Sequence, residues 1–120
     1  MKHRDFEDLV EKALQEIPAQ FLDQLGDVAI LVEDWPDRAL LLELDMNPDE
    51  ETLFGYFEGD PLTAHDREYS GRLPACIYIF KGPIEEVCDT DAEIAEEVRL
   101  TVLHEIGHFF GLSEEQVEHL

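Results

Sequence analysis

Between Thr90 and Gly111 the sequence admits little besides one long helix, and that helix limits what the rest of the chain can build. Thr90 and Glu93 have capping-box spacing, in which the threonine hydroxyl accepts from a backbone N–H of the first turn and the glutamate turns back to the cap. Ile94, Val98, Val102, Ile106 and Phe110 then recur at every fourth position, which lines one helix face. Gly111 follows, where a residue in the left-handed conformation closes a helix. A chain of 120 residues is expected to form one domain spanning 1–120, so its other elements must pack against this helix.

Upstream, Phe6, Leu9, Val10, Ala13, Leu14 and Ile17 give a second amphipathic helix, ended by Pro18. Pro18 can open a short helix carrying Phe21, Leu22 and Leu25, stopped by Gly26. Val28–Val32 is a continuous apolar run and reads as a central strand covered on both faces. Arg38–Leu44 suits a helix led by Asp34 and Pro36, although Leu40, Leu41 and Leu42 would also suit a strand. Thr52–Phe57 and Ala75–Phe80 read as two further strands; in the latter Cys76, Tyr78 and Phe80 share one face and Ile77 and Ile79 the other. A turn at Glu58–Pro61 closes the strand Thr52–Phe57, and the irregular stretch from there to Pro74 is longer than a plain connector needs to be, as functional loops often are. Pro83–Val87 suggests one helical turn, and Ser113 with Gln116 a final one reaching Leu120. Trp35 is expected to staple the core.

The charge narrows the function. Thirty acidic against eight basic residues give a net charge of −22, a field that repels phosphate backbones and anionic membrane surfaces. No nucleic-acid or membrane partner is therefore expected. Met1–Arg4 resembles the start of a signal segment, but Asp5–Asp8 supplies no apolar continuation. A cytoplasmic location is the expectation, and Cys76 and Cys88 suit a reducing compartment as small hydrophobic residues.

The chemistry is concentrated in His104-Glu105-Ile106-Gly107-His108, an H-E-x-x-H run inside the long helix. Spacing i, i+4 stacks two imidazoles one turn apart, where their nitrogens can converge on one cation. At about 100° per residue, His104 lies roughly 200° from Val102 and Ile106, so both histidines point away from the apolar stripe. Glu105 stands beside the first ligand and is placed to act as general base on a water at the cation. Gly107 in mid-helix disfavours the helix, which suggests a close approach by the sheet. Tyr56, Tyr69, Tyr78 and His65 are candidates to stabilise an oxyanion, each with core or surface filling as its default role.

A catalytic zinc needs a third protein ligand and one open position. The pattern H-E-x-x-H-x-x-G-x-x-H is matched through Gly111, and Glu114 stands where the last histidine would be. A carboxylate oxygen ligates zinc at about 2.0–2.2 Å, so Glu114 is the preferred third ligand. Glu115, Glu118 and His119 remain alternatives.

With these residues in place, the run from Val98 to Ser113 resembles the active helix of the small bacterial zincin-like metallopeptidases, the minimal zincins with H-E-x-x-H-x-x-G-x-x-D/E. The likeness extends to Ala29–Asp34, Leu53-x-Gly55-Tyr56, Gly59-x-Pro61-Leu62-Thr63, Ile79 and Pro83-Ile84. Asp is commoner than Glu at the third-ligand position of that family. The resemblance implies a minimal zincin-like α+β fold: a short mixed sheet packed on N-terminal helices and a C-terminal metal-binding helix, with a terminal turn bringing in the third ligand.

It also implies a zinc-dependent metallopeptidase holding one Zn²⁺ ion on His104, His108 and Glu114, with Glu105 as base and a peptide or protein as substrate. The alternative is a non-catalytic zincin-fold protein that binds metal or peptide. An acidic mimic of nucleic acid is a third and weaker reading, which an evenly dispersed charge counts against.

Overall fold

The computed structural model describes residues 1–26, 28–59, 75–112 and 115. In chain order its elements are α1 (His3–Leu14), α2 (Ala19–Leu25), β1 (Ala29–Glu33), α3 (Arg38–Glu43), β2 (Gly55–Glu58), β3 (Cys76–Phe80), α4 (Lys81–Val87) and α5 (Asp91–Phe109). The fold is α+β, with the helices arranged around a short mixed sheet.

The sheet order is β1-β3-β2. β1 runs parallel to β3, pairing Ala29 with Cys76 through Glu33 with Phe80. β2 runs antiparallel, pairing Gly55 with Ile79 through Glu58 with Cys76. The period of two along β3 sends Ile77 and Ile79, both 0% exposed, toward α1 and α5. There they meet Phe6, Val10 and Ala13 of α1 and Ile94, Val98, Val102 and Ile106 of α5 in one core. Each large apolar side chain buried in it contributes roughly 1.5–3 kcal/mol relative to exposure. The alternation read from Ala75–Phe80 therefore holds, but β3 and not the first strand is central.

β1 is an outer strand whose residues alternate between exposed and half-buried, with Leu31 44% exposed. Its unbroken apolar run pointed to two covered faces, yet α1 and α5 cover one face while the other is covered only in part, by α3. β2 is shorter than the expected strand and starts at Gly55. The ambiguous leucine run is helical: Leu41 is buried while Leu42 is 60% exposed, so α3 buries a narrow stripe.

α4 starts at Lys81, ahead of the expected turn. The Gly82 N–H donates to the Asp34 carbonyl at 2.7 Å. Trp35 is not a core staple. It is 53% exposed and lies against Gly82, where an added Cβ would overlap the indole ring.

α5 is capped as the sequence foretells, with the Thr90 hydroxyl accepting from the Glu93 N–H at 3.1 Å. It closes with Gly111 at φ +78°, whose N–H donates to the His108 carbonyl while Leu112 N–H reaches back to Gly107. Cys76 and Cys88 are free and half-buried. Burial, with Glu97, Glu93 and Asp89 nearby, pushes the Cys88 thiol above its ordinary range, which suits an inert packing role. No described helix is long and apolar enough to cross a membrane. Residues 60–74 and the turn expected after Ser113 lie outside the described residues, Glu115 excepted.

Candidate metal centre

α5 is buried on more of its circumference than its isoleucine–valine stripe requires. Beside that stripe Thr101, Glu105 and Phe109 form a second buried row at four-residue spacing, 8%, 7% and 3% exposed. This row faces β2. Phe57 meets Phe109 edge to face with ring centroids 6.0 Å apart. At Gly55 an added Cβ would stand 2.7 Å from Thr101 Cγ2 and 3.2 Å from Glu105 Cγ. Gly55 thus lets the strand approach the helix directly beneath Glu105.

The close approach inferred from Gly107 exists, but its glycine is on the strand. Gly107 is buried on the other side of α5 and lines a cavity with Phe21, Ile17 and Phe110. The available signal for Gly55 was a glycine inside an aromatic strand.

Turned outward from this contact, His104 and His108 are half-buried with ring centroids 4.7 Å apart and planes at 79°. One donor atom from each of His104, Glu105 and His108 lies within 4.8 Å of the others. The three border a groove of about 610 Å³ whose other walls include Gly55, Tyr56, Phe57 and Leu112. One helical turn between the histidines accounts for the convergence of the imidazoles. Burial of Glu105 comes from the strand. An acidic side chain so enclosed is unusual unless it is partnered or functional.

The paired imidazoles suit zinc chemically, because histidine nitrogen is one of its ordinary ligands in catalytic sites. Glu105, adjacent to the first histidine, has a carboxylate oxygen within 4.8 Å of an imidazole nitrogen of each histidine.

The sequence-predicted residues divide as follows. His104, Glu105 and His108 come together. Gly111 makes the turn that would redirect the chain. Glu114, Glu118 and His119 lie outside the described residues, and Glu115 is exposed. Of the oxyanion candidates, Tyr56 borders the groove, Tyr78 sits on the opposite sheet face, and His65 and Tyr69 are not among the described residues.

Comparisons with known proteins bear on the fold and the family. A solved structure of a conserved hypothetical protein from Thermo thermophilus superposes with a TM-score of 0.60 at 24% identity, covering 92% of this chain and 94% of that one. At that identity the likeness bears on the fold. No curated protein matches the chain in sequence. The family model of zincin-like metallopeptidases matches residues 25–120, a span holding β1, β2, β3, Gly55 and the whole H-E-x-x-H helix. The family implies a metal, typically zinc, and the His104, Glu105 and His108 group stands where one could be held. The chain belongs to the zincin-like metallopeptidase family.

Proposed function

We propose that the protein is a zinc-dependent peptidase in which His104, His108 and Glu114 hold one Zn²⁺ ion and Glu105 is the general base. The reading is carried by the convergence of the His104, Glu105 and His108 donor atoms within 4.8 Å at the wall of a groove. Glu114 follows the Gly111 turn at the spacing the motif requires. Bound zinc would bring the pKa of a water toward about 7 and polarise a peptide carbonyl.

The rest falls to the chain. Glu105, held between α5 and β2, accepts the proton of the attacking water and delivers it to the departing amine nitrogen. Its enclosure beside Gly55 fixes the carboxylate, and fixed placement is what an acid–base group contributes beyond its pKa. The substrate peptide lies extended along the outer edge of β2, main chain against main chain, with its scissile bond over the histidine pair. A net charge of −22 favours basic or neutral peptides over acidic ones and disfavours nucleic acid.

Metal analysis of untagged protein and a peptide-library assay test this reading together. Wild type is expected to hold one zinc per chain and His108→Ala to lose it. Glu105→Gln is expected to keep the metal and lose about 10²–10⁴-fold in cleavage rate. Wild-type, zinc-loaded protein that cleaves no faster than Glu105→Gln protein ends the catalytic assignment and leaves a metal-binding or peptide-binding zincin fold. Undiminished zinc in His108→Ala ends the ligand assignment.

A further inference from the structure

The sheet has a second face that the metal centre does not use, and it is neither plainly polar nor covered. The alternation that turns Gly55 and Phe57 toward α5 turns Tyr56 and Glu58 the other way. Tyr56 pairs in register with Tyr78, and Tyr78 stacks on Phe80 with ring centroids 6.4 Å apart and planes at 7°. Trp35, seated on Gly82, forms a further wall. Together with α3 these rings border a groove of about 470 Å³.

Its rim carries four carboxylates, Glu33, Asp37, Glu43 and Glu58, and none of the described residues lining it is basic. The described bases on the neighbouring elements are engaged elsewhere: Arg38 pairs with Asp49 at 3.1 Å and Lys81 with Glu85 at 2.6 Å. The Tyr78 hydroxyl donates to Glu58 at 3.0 Å, fixing that carboxylate against the aromatic floor. Ring faces beside carboxylates are the two features that recognise an organic cation, the rings through their quadrupole and the acids through charge.

Continuity with the metal centre decides which cation. Tyr56 borders both this groove and the one holding His104 and His108. Among the described residues β2 is an outer strand, so an extended peptide added to its edge sends alternate side chains to the two sheet faces. Those on one face enter the metal groove. Those on the other pass over Tyr56 and Glu58.

We propose that this acid-rimmed aromatic groove receives an arginine or lysine side chain of the bound peptide and makes the protein selective for substrates basic at alternate positions. The inference rests on the peptidase reading only for the placement of the peptide along β2. It differs from a preference set by the overall charge of −22, because it is local and depends on ring faces as well as carboxylates.

The test measures binding by fluorescence anisotropy on zinc-loaded Glu105→Gln protein, so that no probe is cleaved. One probe is a labelled peptide with arginine at two alternate positions; the other is its twin with neutral citrulline in their place. The arginine peptide is expected to bind about tenfold more tightly. Adding Glu43→Gln and Glu58→Gln should reduce that preference to about threefold or less. Trp35→Leu, which changes no charge, should reduce it about twofold. Asp8→Asn with Glu11→Gln on α1, the same loss of charge on the opposite side of the sheet, should leave it unchanged.

Equal weakening by the α1 pair and the groove pair overturns the proposal in favour of the diffuse field. So does equal affinity for the two probes, or failure of the arginine peptide to bind. Wild-type cleavage of both probes separates the two readings. Cleavage without arginine preference removes the groove and keeps the peptidase, whereas arginine preference without cleavage removes the peptidase and keeps the groove.

Discussion

The two faces of the sheet are made from the same strands and have little else in common. On one face Ile77 and Ile79 are sealed beneath α1 and α5. On the other Leu31, Tyr56, Tyr78 and Glu58 lie along a groove or at the surface, covered in part by α3. Strand geometry assigns neighbouring residues to opposite faces, so a strand of five residues can supply stability with one set and recognition with the other. The candidate metal centre sits on the sealed side but at its edge, where β2 is the last strand among the described residues and Gly55 lets α5 come close. A small domain obtains a site there without opening its core.

Substitution on the sealed face is the largest expected break in this comparison. Ile79→Ala, at a side chain 0% exposed, should destabilise the fold by about 2–5 kcal/mol in urea unfolding, and Leu31→Ser, at a side chain 44% exposed, by less than about 0.5. Comparable losses at the two positions would show that the outer face is packed after all. An intermediate effect is expected at the junction. Gly55→Ala pushes a methyl group toward Thr101 and Glu105 at 2.7 and 3.2 Å, so it should cost about 1–3 kcal/mol and displace the carboxylate. Its peptide cleavage should fall further than that destabilisation explains, whereas full activity in Gly55→Ala would separate the strand contact from the function.

The smallest effect belongs to the outer face. Hydrogen bonding to Cys76 first and Glu58 second holds the Tyr78 hydroxyl well above its ordinary pKa of 10.0. A raised pKa means that the folded state keeps a proton the unfolded state releases. The contribution is therefore whole below pH 10.0 and declines as pH rises through and beyond it. Tyr78→Phe should cost about 0.5–1 kcal/mol at neutral pH and flatten that alkaline decline, read from unfolding curves at successive pH values. An ordinary tyrosinate titration in the wild type would sink the Glu58 contact.

Some of this was legible in the residues and some was not, for identifiable reasons. The cap at Thr90, the turn at Gly111 and the pairing of His104 with His108 are relations within five residues, where helix geometry fixes neighbours. The alternation of Cys76–Phe80 likewise needed only the period of a strand. Val28–Val32 misled because an apolar run says that something covers the strand, not that both faces are covered. Trp35 misled because a large ring found its partner in the backbone of Gly82, which is distant in sequence.

By itself, then, the sequence determined the α5 helix, its two imidazoles one turn apart and the acid beside them, since each is a local relation that period and capping enforce. Only the tertiary structure decided that β3 is central, that Gly55 of β2 encloses Glu105, and that Tyr56 and Glu58 open onto a second groove across the same strand. Those facts depend on strand order and on which face the helices cover. Both arise from contacts between residues far apart in the chain, where hydrophobic burial acts without direction and spacing in the sequence carries no record of the partner.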